Sequence, residues 1–311
     1  MPGSRTDYFL TRLSASLSGT NMPAGLKYAE TAAGRVHVFD TANEPGNEAS
    51  PTDRPSIVFT PDGPNVVAHY RRLIALLTPH FRVVCFDMPG FGFSLPAADY
   101  RHSLEQGART VLAVLDQLGI ARATLAFSCA NGLYAIRAAQ LAPTRIASLM
   151  LSQTPSLSAM QAWAYRMIPR PLRVPVAGQF ITWLARRKLA QLWYRSALPA
   201  ETDDKPFQQL GRQSFDAGGC FCLASVVQGL LRETVLMTNP APLTIPCTLI
   251  WGEQDRSHRV TQPETLREHL PQLEIRRFAD CGHFPDLEQP ERYAREIVAH
   301  MEKIAADTVS C

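Results

Sequence analysis

Leu118-Gly-Ile-Ala-Arg-Ala-Thr-Leu-Ala-Phe-Ser-Cys-Ala-Asn-Gly132 is the stretch on which the reading of this 311-residue chain turns. Within it, Ala123 to Phe127 is a short apolar run of the length of a buried strand. Asn131 to Leu141 then places apolar residues at helical spacing, and Ile146 to Leu151 is a further apolar run after Pro143. Strand, sharp turn, helix and strand in about thirty residues is the unit from which parallel sheets are built.

The same alternation extends to both sides. Upstream, Arg35 to Phe39 alternates, Ser56 to Thr60 and Arg82 to Phe86 read as strands, and Val67 to Leu77 between them is helix-like. Ser103 to Leu118 is an amphipathic helix leading into the central stretch. After Leu151 the rhythm breaks. Residues 155–241 hold Trp163, Trp183, Trp193, several arginines and long helical patterns, with no convincing strand. Strand character returns at Cys247 to Trp251 and Leu273 to Phe278, and Glu291 to Ile304 reads as a closing helix. The expectation is an α/β fold, a mostly parallel sheet flanked by helices. Residues 1–27 form an arm or short helix, 28–154 and 242–311 the core, and 155–241 an inserted helical cap. In open α/β sheets ligands bind beyond the carboxyl ends of the strands, where such a cap would lie.

Composition narrows the function. A hydrophobic fraction of 46% suits a chain with a sizeable core, and a net charge of +3 with no basic run is no footprint for nucleic acid. Seven scattered cysteines contain no paired C-x-x-C motifs, so neither a zinc ribbon nor a disulfide framework is expected. Cys220 and Cys222 read as a chance pair near a helix start. No signal peptide and no membrane span are read, and a reducing cytoplasm suits a free thiol. Gly90-Phe-Gly92 lacks the third glycine and the helix of a dinucleotide-binding turn. Neither metal nor cofactor is expected.

From Leu118 to Leu151 the chain resembles the α/β-hydrolase superfamily, whose strand–elbow–helix segment reads L-G-x-x-x-x-x-L-V-G-H-S-x-G-G, followed by P-x-R-[VI]. The ungapped match places the nucleophile on Cys129, with Phe127 and Asn131 where the family has its elbow glycines and Gly132 on the extra glycine. A register shifted by one would make Ser128 the nucleophile, flanked by the small Ala126 and Ala130. Phe278-Ala-Asp-Cys-Gly-His-Phe-Pro-Asp-Leu-Glu-Gln-Pro290 is similar to the family's G-H-x-x-x-x-E-x-P loop, which implies His283 as the base. Leu249-Ile-Trp-Gly-Glu-Gln-Asp255 is similar to its strand–G-x-x-D turn, which implies Asp255 as the orienting acid. Nucleophile, acid and histidine follow in the chain order of this fold. Pro61-Asp-Gly-Pro64 stands where the family writes H-G-x-P. The backbone N–H groups of Gly63 and Ala130 would then form the oxyanion hole, and Asp62 is a departure from the usual glycine. Asp87-Met-Pro-Gly-Phe-Gly-Phe-Ser94 resembles a structural loop of the family.

The resemblance implies acyl transfer by a Cys-His-Asp triad through an acyl-cysteine. A helix N-terminus and a neighbouring histidine both favour a thiolate. Thioesters, lactones and activated esters are the expected substrates, with a largely apolar acyl group and Phe127, Asn131, Trp163 and Phe284 as its contacts. Dienelactone hydrolase is a relative with such a triad. A non-water acceptor would give an acyltransferase or cyclase, as in polyhydroxyalkanoate synthase. A lyase or a ligand-binding pseudoenzyme is the alternative of another class. Arg166, Arg170, Arg173, Arg186 and Arg187 read first as a solvated helix face, with coenzyme A or an acyl-carrier protein as the partner they would otherwise meet.

Overall fold

The computed structural model describes residues 2–18, 25–43, 54–234 and 242–309. Residues 19–24 of the expected arm, residues 235–241 at the end of the expected cap, and Cys311 lie outside the described residues.

The central unit folds as its pattern dictates. Strand β7 (Ala123–Phe127) is buried on both faces, as expected of a short run without a polar side chain facing water. Leu125 and Phe127 join the core on one side of the sheet and Ala126 the core on the other, so alternation along the strand feeds two packed layers. Helix α4 (Cys129–Leu141) follows directly and strand β8 (Ile146–Ser152) returns parallel to β7.

The remaining strands are β1 (Lys27–Thr31), β2 (Gly34–Asp40), β3 (Ser56–Thr60), β4 (Arg82–Phe86), β5 (Phe91–Gly92), β6 (Leu95–Pro96), β9 (Cys220–Phe221), β10 (Cys247–Gly252) and β11 (Glu274–Phe278). The main sheet runs β1-β2-β4-β3-β7-β8-β10-β11, with β6 paired to β2. Its β1–β2 and β2–β4 pairs are antiparallel, whereas β4-β3-β7-β8-β10-β11 is parallel throughout. Parallel neighbours need crossovers, and helices α2 (Arg71–Leu77), α3 (Leu104–Gln117) and α4 supply them.

Helix α3 shows how such a crossover is specified. Its N-cap Ser103 accepts a hydrogen bond from the Gln106 N–H, satisfying one orphan donor of the first turn. Its apolar stripe, Val111, Val114 and Leu115, is fully buried, each side chain contributing about 1.5–3 kcal/mol by leaving water.

Between β8 and β10 the chain is helical, with α5 (Leu157–Met167), α6 (Ala177–Ala197), α7 (Lys205–Asp216) and α8 (Leu223–Leu231). Among the described residues one strand interrupts it: β9, only two residues long, pairs with β5, and Cys222 then caps α8. Two residues are too few to leave an alternation in the sequence. The N-terminus forms α1 (Pro2–Leu17), sixteen residues long, and it packs on α6, where the Trp183 indole donates to Ser14 Oγ at 2.6 Å. Helices α9 (Pro285–Glu288) and α10 (Pro290–Val309) complete the chain.

Candidate active site

Four loops meet at the carboxyl ends of β3, β7, β10 and β11, carrying Asp62, Cys129, Asp255 and His283. At the end of β7, Ser128 is extended, with φ −116° and ψ 150°, and Cys129 turns into the left-handed region at φ +53°. That conformation costs an L-residue about 1–2 kcal/mol, and it lifts the thiol out of the strand line to the head of α4. Gly132 makes the turn sterically possible. A Cβ there would stand 2.2 Å from Thr154 Oγ1, the hydroxyl that donates to the Cys129 carbonyl at 3.0 Å.

The two departures at the elbow have distinct outlets. The Phe127 ring points into the sheet's core and meets Phe86 edge-on at 6.2 Å, so its bulk never enters the turn. It does not line the cavity above Cys129. Asn131 does, and its Nδ2 donates to the Pro61 carbonyl at 3.0 Å, bracing α4 against the loop after β3. Ser128 faces another way: its hydroxyl donates to Asp286 Oδ2 at 3.3 Å, beside the Tyr70 hydroxyl at 2.7 Å.

His283 is completely buried and its loop is stapled by Glu288, which accepts from the N–H groups of Gly282 and Phe284 at 2.8 and 2.9 Å. The His283 N–H donates to Ala197 at the end of α6, so the helical insertion also holds the loop. Nδ1 lies 2.5 Å from Asp255 Oδ2. Asp255 accepts further from Gln153, from both the N–H and the hydroxyl of Ser257, and from the His258 N–H. Burial would raise its pKa, but the adjacent His283 and these donors hold it well below the usual carboxylate range.

The other ring nitrogen has a second carboxylate. Asp62, only 6% exposed, places Oδ2 3.0 Å from His283 Nε2. Burial alone would lower the His283 pKa; the charges of Asp255 and Cys129 and the bonds to both aspartates drive it well above the ordinary value. Both carboxylates therefore favour a proton on the His283 ring. Burial first, and then the Asp62 charge, push the Cys129 thiol up to about 11, against the pull of His283 and of the Ala130 N–H.

Gly63 follows Asp62 at φ +58°, and a Cβ on it would lie 2.8 Å from the Trp193 indole nitrogen. Above Cys129 is a cavity of about 40 Å³, floored by Asp62, Gly63, Cys129, Ala130 and Asn131. Its roof comes from Phe91, Met160, Trp163, Trp193 and the apolar face of α8. That space admits only a few water-sized groups, so a larger ligand requires the roof to shift. A cavity of about 400 Å³ beside β2 and α2 is roomier, but the residues lining it include no cysteine or serine to act as a nucleophile.

Trp163 lines the roof while its indole donates to Ser257 at 2.9 Å and stacks on His258 at 5.0 Å. His258 in turn stacks on His283 at 5.3 Å. Phe284 packs with Tyr194, Ala197 and Leu198 behind His283, away from the cavity lining. The ligand atoms of Cys129, His258 and His283 lie within 4.8 Å of one another, a donor set that suits a borderline-soft ion such as zinc. Such an ion would take up the thiol.

Asp62, His258, Trp193, Gln153 and Ser257 entered the site without a motif to announce them. Only Asp62 carried a signal, as a carboxylate in a glycine's place.

A parallel-centred sheet, a strand–elbow–helix turn and a buried His–Asp pair at the carboxyl ends of the strands define an α/β-hydrolase-type enzyme. The comparisons agree: residues 57–296 match the Alpha/beta hydrolase family, and the chain belongs to it. A 2-hydroxymuconate semialdehyde hydrolase of Pseudomonas putida is 27% identical over 225 residues, 69% of this chain and 74% of that one. A pimeloyl-[acyl-carrier protein] methyl ester esterase of Nitrosospira multiformis is 24% identical over 244 residues, 71% and 85% of the two chains. The enol-lactonase of Burkholderia xenovorans LB400 superposes with a TM-score of 0.67 at 19% identity, covering 89% of this chain and all of that one. Among the described residues no helix is long and apolar enough to cross a membrane.

Proposed function

We propose that this enzyme transfers acyl groups through a thioester on Cys129, with His283 moving the protons, Asp255 orienting its ring and water as the acceptor. The substrate is a thioester, lactone or activated ester with a small, largely apolar acyl group, carried where needed on coenzyme A or an acyl-carrier protein. One observation carries the reading: Cys129 takes the strained φ of +53° at the head of α4, within 4.8 Å of the buried His283. An esterase and a lactonase among its relatives and structural neighbours agree with it.

Attack forms a bond from sulfur to the carbonyl carbon. The thiol proton passes to the His283–Asp62 pair, which gains one proton in all. The N–H groups of Gly63 and Ala130 meet the oxyanion. Collapse breaks the bond to the leaving group, which takes that proton. Water then attacks the thioester, returns a proton to the pair, and the departing sulfur is reprotonated. Asp255 keeps the ring oriented throughout. An alcohol, amine or carbanion in place of water would make the enzyme an acyltransferase or cyclase.

The test is intact mass after exposure to short and medium acyl-thioesters. A gain of one acyl group in the parent that is absent from Cys129→Ala supports the reading. An adduct that persists in Cys129→Ala and disappears in Ser128→Ala assigns the nucleophile to the other register.

The Asp62 contact itself favours a second reading, a lyase in which the His283–Asp62 pair moves a substrate proton and no covalent intermediate forms. Turnover retained in Cys129→Ala and lost in Asp62→Asn would select it.

A further inference from the structure

Helix α6 carries large apolar residues outward as well as inward. At about 100° per residue, Phe180, Ile181, Leu184, Lys188, Leu192 and Arg195 share one broad face, and all six are exposed, Leu184 to 73%. The face packed into the protein carries Gly178, Gln179, Thr182 and Ala190 together with the larger Leu189, Trp193 and Tyr194. Helices that serve only to cover a core place their large apolar residues inward. Upstream of α6, Tyr165, Met167, Val174 and Val176 are exposed as well.

The charge contributed by this stretch of chain has one sign. No aspartate or glutamate occurs between Asp116 and Glu201, while Arg166, Arg170, Arg173, Arg187, Lys188 and Arg195 fall within that span. Arg187 pairs with Asp216 and Arg195 reaches Asp204 at 4.0 Å; Arg166, Arg170 and Lys188 make no ion pair among the described residues.

We propose that this face docks on an anionic lipid bilayer. Exposed apolar side chains interleaved with unpaired cations meet the two components of such a surface, acyl chains and charged headgroups. A second copy is a poorer occupant, because a two-fold interface would set the same cations against each other. An acidic protein would satisfy the charge but leave much of the apolar surface unused. The inference stands apart from the triad. It bears on the triad only because Trp193, on the opposite side of α6, roofs the cavity.

The experiment is co-sedimentation of the purified enzyme with vesicles of phosphatidylcholine alone or mixed with phosphatidylglycerol. Binding is expected to the mixed vesicles and to fall as salt rises. Lys188→Gln and Arg170→Gln should each weaken it about fivefold, and Leu184→Ser should weaken it at every salt concentration. All three positions are exposed, and unchanged circular dichroism would establish that the variants fold. No binding of the folded parent to the anionic vesicles overturns the proposal. So does binding to an acidic acyl-carrier protein with none to vesicles, or a dimer that ignores vesicles and dissociates in Leu184→Ser.

Discussion

Two loops bring a carboxylate to the same imidazole, and they do so on different terms. The turn after β10 delivers Asp255 into four donor contacts from Gln153, Ser257 and His258, before His283 is counted. The loop after β3 delivers Asp62, whose carboxylate meets His283 Nε2 as its hydrogen-bonding partner. A charge held from several sides cannot leave at acceptable cost, whereas one held, among the described residues, by the ring alone can exchange its contact when a substrate enters. Asp255 is thus a fixed orienting group and Asp62 the mobile member of the pair.

The largest effect expected is from breaking the fixed side. Asp255→Asn should lower kcat by about 10⁴, as for triads in which the histidine loses its orienting carboxylate, with KM changed far less. Steady-state kinetics on the acyl-thioester that labels Cys129 checks this. A loss below about tenfold would mean that Asp62 and not Asp255 governs the ring, since tenfold corresponds to only about 1.4 kcal/mol.

Next is Gly63→Ala. The added methyl must sit at φ +58° and only 2.8 Å from the Trp193 indole nitrogen. Losing one oxyanion donor's geometry should cost about 10² in kcat, with a lower melting temperature from the strained backbone. Unchanged kcat would remove Gly63 from the oxyanion hole.

The mobile side should respond in the opposite sense. Asp62→Gly restores the family's residue and removes the charge that, after burial, raises the Cys129 thiol to about 11. The thiol pKa should fall, and alkylation by iodoacetamide at fixed pH near 8 should accelerate about threefold for each unit of the fall, the roughly tenfold gain in thiolate being partly offset by its lower nucleophilicity. Slower alkylation would show that Asp62 helps to ionise the thiol.

The fold was legible because it rests on periodicity. The apolar runs at 56–60, 82–86, 123–127, 146–151 and 247–251 all became strands, and the loss of that rhythm after Leu151 marked the helical insertion. The G-H-x-x-x-x-E pattern was legible because Glu288 has a job within seven residues of chain: it fixes the loop that carries His283. Asp62 reaches His283 across 221 positions, and no local pattern records a contact between loops so far apart. The same holds for His258, placed by stacking between Trp163 and His283. Phe127 taught the reverse: a bulky residue in a glycine's place looked like an obstacle, yet strand alternation sends its ring into the core.

A third buried carboxylate tests the electrostatic argument with the smallest expected effect on rate. Asp286 accepts from Tyr70 and Ser128 but has no cation beside it among the described residues, and its Oδ1 has no hydrogen-bond partner among them. Burial accordingly pushes its pKa up to about 6, with the two hydroxyls opposing. Its folded-state value lies above the unfolded one. The native protein therefore keeps a proton that the unfolded chain releases, and stability declines as pH rises from about 4 to about 6. Above that range the carboxylate costs up to about 3 kcal/mol. Asp286→Asn should then match the parent near pH 4 and exceed it in chemical denaturation at pH 7 to 8, with kcat little changed. Asp255→Asn should show the opposite trend, since a depressed pKa stabilises above the unfolded value and is lost only in acid. If both substitutions shift stability in the same direction with pH, the contrast between a carboxylate that holds a cation and one that does not is wrong for this site.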